Sequence, residues 1–342
     1  MRVTRESLLR IASEAAQERA YNDPQIIAAY LTGSLLLSDE PLLGGTTDID
    51  LVFVHTEAPA RPRECVRLTA DFHLDITRRP RETYRSPREL RSEPWLGWEM
   101  YDPRLLFERE KFFEFVQAGV RAGYEFEAPA PTLDRCRSLY VQARRLWLGL
   151  SEPSDALPPA VQLRHYLESI YASANAVAEL TGPPLSERRF LLQFPERARA
   201  AGREGLHAGV LGLLGAAEIR VDKMDSWLPD WTRAFAGAGV VPDADSRLHA
   251  ARQNYYEKAI KAMLGGEVPL PALWLLLHTW TLAAGVLQGD QVRPWQSACA
   301  DLELAGASFA ERLKGLDHFL DEVDLLLEEY AAAHGLTIPS GM

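Results

Sequence analysis

Three carboxylates in the first quarter of the chain have the setting needed to hold hard cations. Asp48 and Asp50 stand two residues apart in Thr47-Asp-Ile-Asp-Leu51, and Asp75 stands alone in Leu74-Asp-Ile76. Alternate side chains of a strand share a face, so Asp48 and Asp50 project together while Ile49 and Leu51 turn to a core. If the strand of Asp75 lies beside theirs, three anions crowd one patch of sheet, which is costly unless cations neutralise them. Mg2+ suits such oxygen ligands and keeps coordination positions for water and substrate phosphates. Two such ions, about 3.5 to 4 Å apart, stabilise both the attacking and the leaving oxygen of an in-line displacement at phosphorus. Upstream, Tyr30-Leu-Thr-Gly-Ser34 closes an apolar run. Gly33 lets backbone approach a ligand closely, and its neighbouring amides with the Ser34 hydroxyl suit phosphate oxygens. His73 shares the Asp75 face by alternation, although a lone strand histidine is more often a hydrogen-bonded core group.

Strands must carry these residues, and the hydrophobic pattern supplies them. Residues 4–18 form an amphipathic helix, with Leu8, Ile11, Ala12, Ala15 and Ala16 on one stripe. Ile26–Leu31, Ile49–Val54 and Phe72–Thr77 are short runs of strand formers, and Arg104–Phe107 predicts a fourth strand leading into a helix over 111–122. Ser86-Pro-Arg-Glu89 has the composition of a helix start. After the break at Glu125–Pro131 the period changes to 3.6 over 132–150, 159–180, 186–201, 244–264, 272–288 and 308–334. The expected fold is α+β: a small mixed sheet with helices on one face over 1–126, followed by an all-α helical bundle over 127–342.

Gly33-Ser34, a loop, Asp48-Ile-Asp50 and a further strand carboxylate at Asp75 together resemble the nucleotidyltransferase superfamily related to DNA polymerase β. Within it the chain is similar to minimal nucleotidyltransferases and to the aminoglycoside and lincosamide resistance enzymes, which add a helical domain. The resemblance covers residues 26 to about 110, and the loop Leu35–Thr47 is long for the pattern. It implies that Gly33 and Ser34 hold a nucleoside triphosphate and that Asp48 and Asp50 bind Mg2+, expected as two ions. Asp75 would complete the metal site or assist an acceptor hydroxyl. The expected reaction moves NMP, with ATP the expected donor, to a hydroxyl of a small-molecule acceptor between the two halves and releases pyrophosphate. Transfer to tRNA 3′-ends or to a protein side chain is the alternative, with docking on residues 61–91, whose nine arginines face five acids. A non-catalytic nucleotide-binding regulator is a third reading. In the helical half Arg144-Arg145, Arg188-Arg189, Lys258 and Lys261 are candidates to reach a β- or γ-phosphate.

Composition narrows the partners. The 342 residues carry a net charge of -11, which disfavours duplex nucleic acid, since that partner needs a basic footprint. Cys65, Cys136 and Cys299 are few, odd in number and far apart, so neither a disulfide framework nor a zinc site is expected, and a reducing cytoplasm is the simple reading. Glu6, Glu14 and Glu18 interrupt any signal-peptide core. Val268–Gln288 lacks Asp, Glu, Lys and Arg, yet two prolines and His278 leave it short of the roughly 20 apolar residues a bilayer requires, so it reads as a buried bundle helix. Walker A, GxGxxG, HExxH and serine-elbow motifs are absent.

Overall fold

The computed structural model describes residues 4–37, 42–151, 157–242 and 244–337. In chain order, the first part runs α1 (Arg5–Asn22), β1 (Ile26–Thr32), α2 (Ser34–Leu37), β2 (Thr47–His55), β3 (Arg63–Arg67), β4 (Phe72–Pro80), α3 (Pro87–Leu90), α4 (Pro94–Tyr101), β5 (Arg104–Glu108) and α5 (Phe112–Arg121). The remainder is helical: α6 (Pro129–Ser151), α7 (Pro159–Ala178), α8 (Phe190–Ala200), α9 (Gly205–Leu213), α10 (Val221–Ala238), α11 (Gln253–Leu264), α12 (Ala272–Ala284), α13 (Arg293–Asp301) and α14 (Ala307–Ala333). The fold is therefore α+β, with a mixed five-stranded sheet and a closing set of helices.

The sheet order is β3-β4-β2-β1-β5. β2 and β4 are parallel and the other pairs antiparallel. Of the three inner strands, β1 and β2 are apolar on both faces, so each face needs cover. Helices accordingly pack on both, not on one as the pattern predicts. Ala29, Leu31, Ile49, Leu51 and Phe53 join the core of α1, while Ala28, Tyr30, Val52 and Val54 pack with Met100, Phe113 and Val116 of α4 and α5. The Asp48/Asp50 face is the second of these, beyond the end of its apolar cover.

Buried residues from Leu133 to Ala331 make one further core, with α12 wholly buried inside it. No helix among the described residues is long and apolar enough to cross a membrane. The halves are joined by a buried knot. Arg135 of α6 pairs with Glu179 and donates to the carbonyls of Arg91 (2.8 Å) and Phe126 (3.0 Å), while Trp98 Nε1 of α4 donates to Glu179 Oε1 at 2.6 Å. Removing one partner strands the other charge, so Glu179→Ala should cost about 3–5 kcal/mol in denaturant unfolding. A loss below about 1 kcal/mol would mean that the two carbonyls alone satisfy Arg135.

Candidate metal centre

Parallel pairing of β2 with β4 sets Asp50 directly beside Asp75 and Asp48 beside His73, and antiparallel pairing with β1 sets Thr32 beside Asp50. One carboxylate oxygen from each of Asp48, Asp50 and Asp75 lies within 4.8 Å of the other two. Asp48 and Asp75 are buried, at 6% and 4% exposure. Asp50 keeps some exposed surface, but its carboxyl group is enclosed. That burial, with Asp48 and Glu99 nearby, pushes its pKa well above the usual carboxylate range, against the opposing pull of Arg252 and Arg63. Gly33 closes the cluster from the β1 side. It adopts φ 81°, in the left-handed region, and a β-carbon there would lie within 2.7 Å of Asp50 Cγ. Ser34 follows as the first residue of α2. Residues 38–41 of the loop between the turn and β2 lie outside the described residues.

Asp75 is more heavily engaged than its sequence setting suggests. Arg63 of β3 grips it with two bonds, Nε to Oδ1 at 3.0 Å and Nη2 to Oδ2 at 2.6 Å, and Arg252 Nη2 from the helical half pairs with Oδ2. A carboxylate has about four lone-pair positions. With three taken, one site on Oδ1 remains for a cation or a hydroxyl. Arg78 and Arg79, three and four residues further along the chain, pair instead with Glu64 and Glu99.

A second group from the helical half orders Asp48. Tyr255 donates from its hydroxyl to Asp48 Oδ1 at 3.1 Å, and Arg188 lies over the Tyr255 ring, 3.8 Å from its centroid. Arg188 also donates to the carbonyls of Leu43 (2.7 Å), Thr46 (3.0 Å) and Tyr255 (2.9 Å), fixing the entry of β2 against α11. Of the other helical-half candidates for phosphate contact, Arg144 pairs with Asp317 and Asp321, Lys258 with Asp71, and Lys261 with Glu257. Arg252 and Tyr255 are site residues that the sequence reading misses, and Arg63 enters that reading only among the nine arginines of 61–91, not as the partner of Asp75. Arg63 lies on a strand with no apolar run, and the other two are remote in sequence.

The donor set fits a divalent cation of the hard class. All three groups are carboxylates with an oxygen toward the cluster, and burial together with the Asp48 charge raises the Asp50 pKa, a cost that a bound cation would relieve. His73, buried at 1% exposure beside Asp48, has no partner for either ring nitrogen among the described residues, and burial lowers its pKa to about 4, so it is neutral at pH 7. A cavity of about 310 Å³ adjoins the cluster at Thr32 and Gly33, walled by α4 and by Pro183 and Pro184 of the helical half. No family model and no curated protein matches the chain.

Proposed function

We propose that the protein is a Mg2+-dependent nucleotidyltransferase of the polymerase β-like type, moving NMP from a nucleoside triphosphate, ATP the first to test, to a hydroxyl of a small acceptor. The observation that carries this reading is the convergence of Asp48, Asp50 and Asp75 beside the left-handed Gly33 turn. Asp48 and Asp50 are the principal ligands of the metal, with Asp75 contributing at most its one free position. When bound, Mg2+ supplies neutralisation of the triphosphate and of charge developing at phosphorus. Gly33 and Ser34 present backbone and hydroxyl to the triphosphate. Arg63 and Arg252 hold the Asp75 carboxylate in one orientation, leaving the single free position on Oδ1 either for the metal or to accept from an acceptor hydroxyl and so aim its oxygen. Tyr255, with Arg188 behind it, holds Asp48 in place.

The small acceptor is supported by how the basic segment is spent. Among the nine arginines of 61–91, Arg63, Arg78, Arg79, Arg85 and Arg91 pair with carboxylates of the protein, and Arg67 donates to the Ala250 carbonyl at 2.7 Å. Few remain to track a phosphate backbone. The deciding experiment incubates the protein and Mg2+ with each α-labelled NTP against pooled small molecules, tRNA and the protein alone. Label in a small product is the expected outcome. Label only in tRNA, with binding that falls at a log-log salt slope near -3 as about four phosphate contacts require, would replace it with the macromolecular reading. Tight NTP binding with no transfer in any arm would leave a nucleotide-binding regulator.

A further inference from the structure

The cavity beside Gly33 has walls that select a ligand. Trp95, 41% exposed, is the outer member of a ladder of parallel rings running into the helical core. It stacks on Tyr171 (centroids 5.9 Å apart, 21° between planes), Tyr171 on Trp274 (5.4 Å, 19°), and Trp274 on His278 (4.9 Å, 9°). The buried end is anchored by the His278–Glu187 pair. The neighbouring wall is equally fixed, because Trp98 is bonded to Glu179 and meets Phe126 edge-on, and Tyr101 stacks on Phe126 with centroids 4.4 Å apart. Rigid aromatic walls cost little ordering when a ring binds.

The polar groups around these rings accept more than they donate. Glu99 and Asp102 line the cavity, and among the described residues no Lys, Arg or His does. Glu99 is already held by Arg79 and by the Tyr30 hydroxyl, whereas Asp102 is exposed and, among the described residues, its one ion pair is with Arg121 at 3.2 Å. A volume of about 310 Å³ is at the lower end for ligand pockets, enough for one ring system and a substituent.

We propose that this cavity binds a planar, amino-bearing ring, stacked on Trp95 with its amino group toward Asp102. The site stands one strand from Asp50, so under the nucleotidyl-transfer reading, on which its role in turnover rests, the ring belongs either to the base of the triphosphate or to the acceptor. Both sources present the same chemistry.

The test is calorimetric titration of the metal-free full-length protein with adenosine, cytidine, uridine, 2-aminopyridine and benzylamine. Saturable binding of the amino-bearing rings is expected. Trp95→Ala should weaken it at least tenfold, about 1.4 kcal/mol or more and within the range for a base stacked on an aromatic ring, while Trp95→Phe stays within a few-fold. Asp102→Asn should weaken adenosine and cytidine but leave uridine unchanged. Preference for nucleosides assigns the ring to the nucleotide, and preference for the free ring amines assigns it to the acceptor. Absence of binding by every ring at millimolar concentration, or equal binding by Trp95→Ala, overturns the proposal. Trp95-dependent ring binding in a protein that transfers no NMP would overturn only the catalytic reading, and intact transfer without ring binding would overturn only this one.

Discussion

Asp50→Asn should lower nucleotidyl transfer by more than about a thousandfold, the equivalent of some 4 kcal/mol of charge stabilisation at phosphorus, while leaving the metal-free protein as stable as the parent or more so. The second half follows from linkage. Burial and the charges of Asp48 and Glu99 raise the Asp50 pKa above its value in the unfolded chain, so the folded state keeps a proton that the unfolded state has released. Stability therefore falls as pH rises from the ordinary carboxylate range toward the raised value, and the penalty is complete above it. Asparagine does not titrate, so its advantage in EDTA should be near zero in acid and largest at alkaline pH. Mg2+ reverses the order, raising the parent's melting temperature and not the variant's. Thermal melts at several pH values, with EDTA and with Mg2+, check this. Transfer within tenfold of the parent, or equal stabilisation by Mg2+, would remove Asp50 from the metal centre.

What was legible in the sequence was local. The strands of Asp48, Asp50 and Asp75 announce themselves by apolar neighbours and period-2 alternation, and Asp-Ile-Asp places two acids on one face whatever the tertiary structure does. Pairing is a different matter. That β4 lies parallel to β2 in the register that sets Asp75 beside Asp50 depends on β3, whose Arg-Glu-Cys-Val-Arg sequence has no hydrophobic run to mark it as a strand. β3 also delivers Arg63. The helical half shows the same limit. α9, Gly-Leu-His-Ala-Gly-Val-Leu-Gly-Leu, is hidden by three glycines of low helix propensity, and α10 carries Pro229 in its interior. The helix expected over 244–264 starts only at Gln253, because Asp245 and His249 cap successive 3-10 turns with their side chains. Those turns set Arg252 on Asp75 and lead Tyr255 to Asp48, contacts 177 and 207 residues apart in the chain that no local pattern encodes.

Gly33→Ala should be the second severe loss, and a neighbouring glycine separates its causes. Gly33 and Gly45 both hold positive φ, 81° and 75°, so alanine at either must adopt a left-handed backbone at a cost of about 1–2 kcal/mol. Their surroundings differ. A β-carbon on Gly45 meets nothing within 4 Å, whereas on Gly33 it would run into the Asp50 carboxylate, with Cγ only 2.7 Å away. Asp50 cannot retreat freely, since Asp48 and Asp75 crowd its other side. The turn must move or the carboxylate must swing out of the cluster, and a displacement of about 1 Å at a reacting centre costs on the order of a hundredfold in rate. Both variants should thus lose stability in denaturant unfolding, Gly33→Ala the more because it also carries the clash with Asp50, and Gly33→Ala should lose transfer about a hundredfold or more and weaken Mg2+ binding, while Gly45→Ala stays within a few-fold in both. If the two variants behaved alike in transfer and in Mg2+ binding, the close approach of the Gly33 turn to Asp50 would serve the backbone alone, and the cluster would not depend on it.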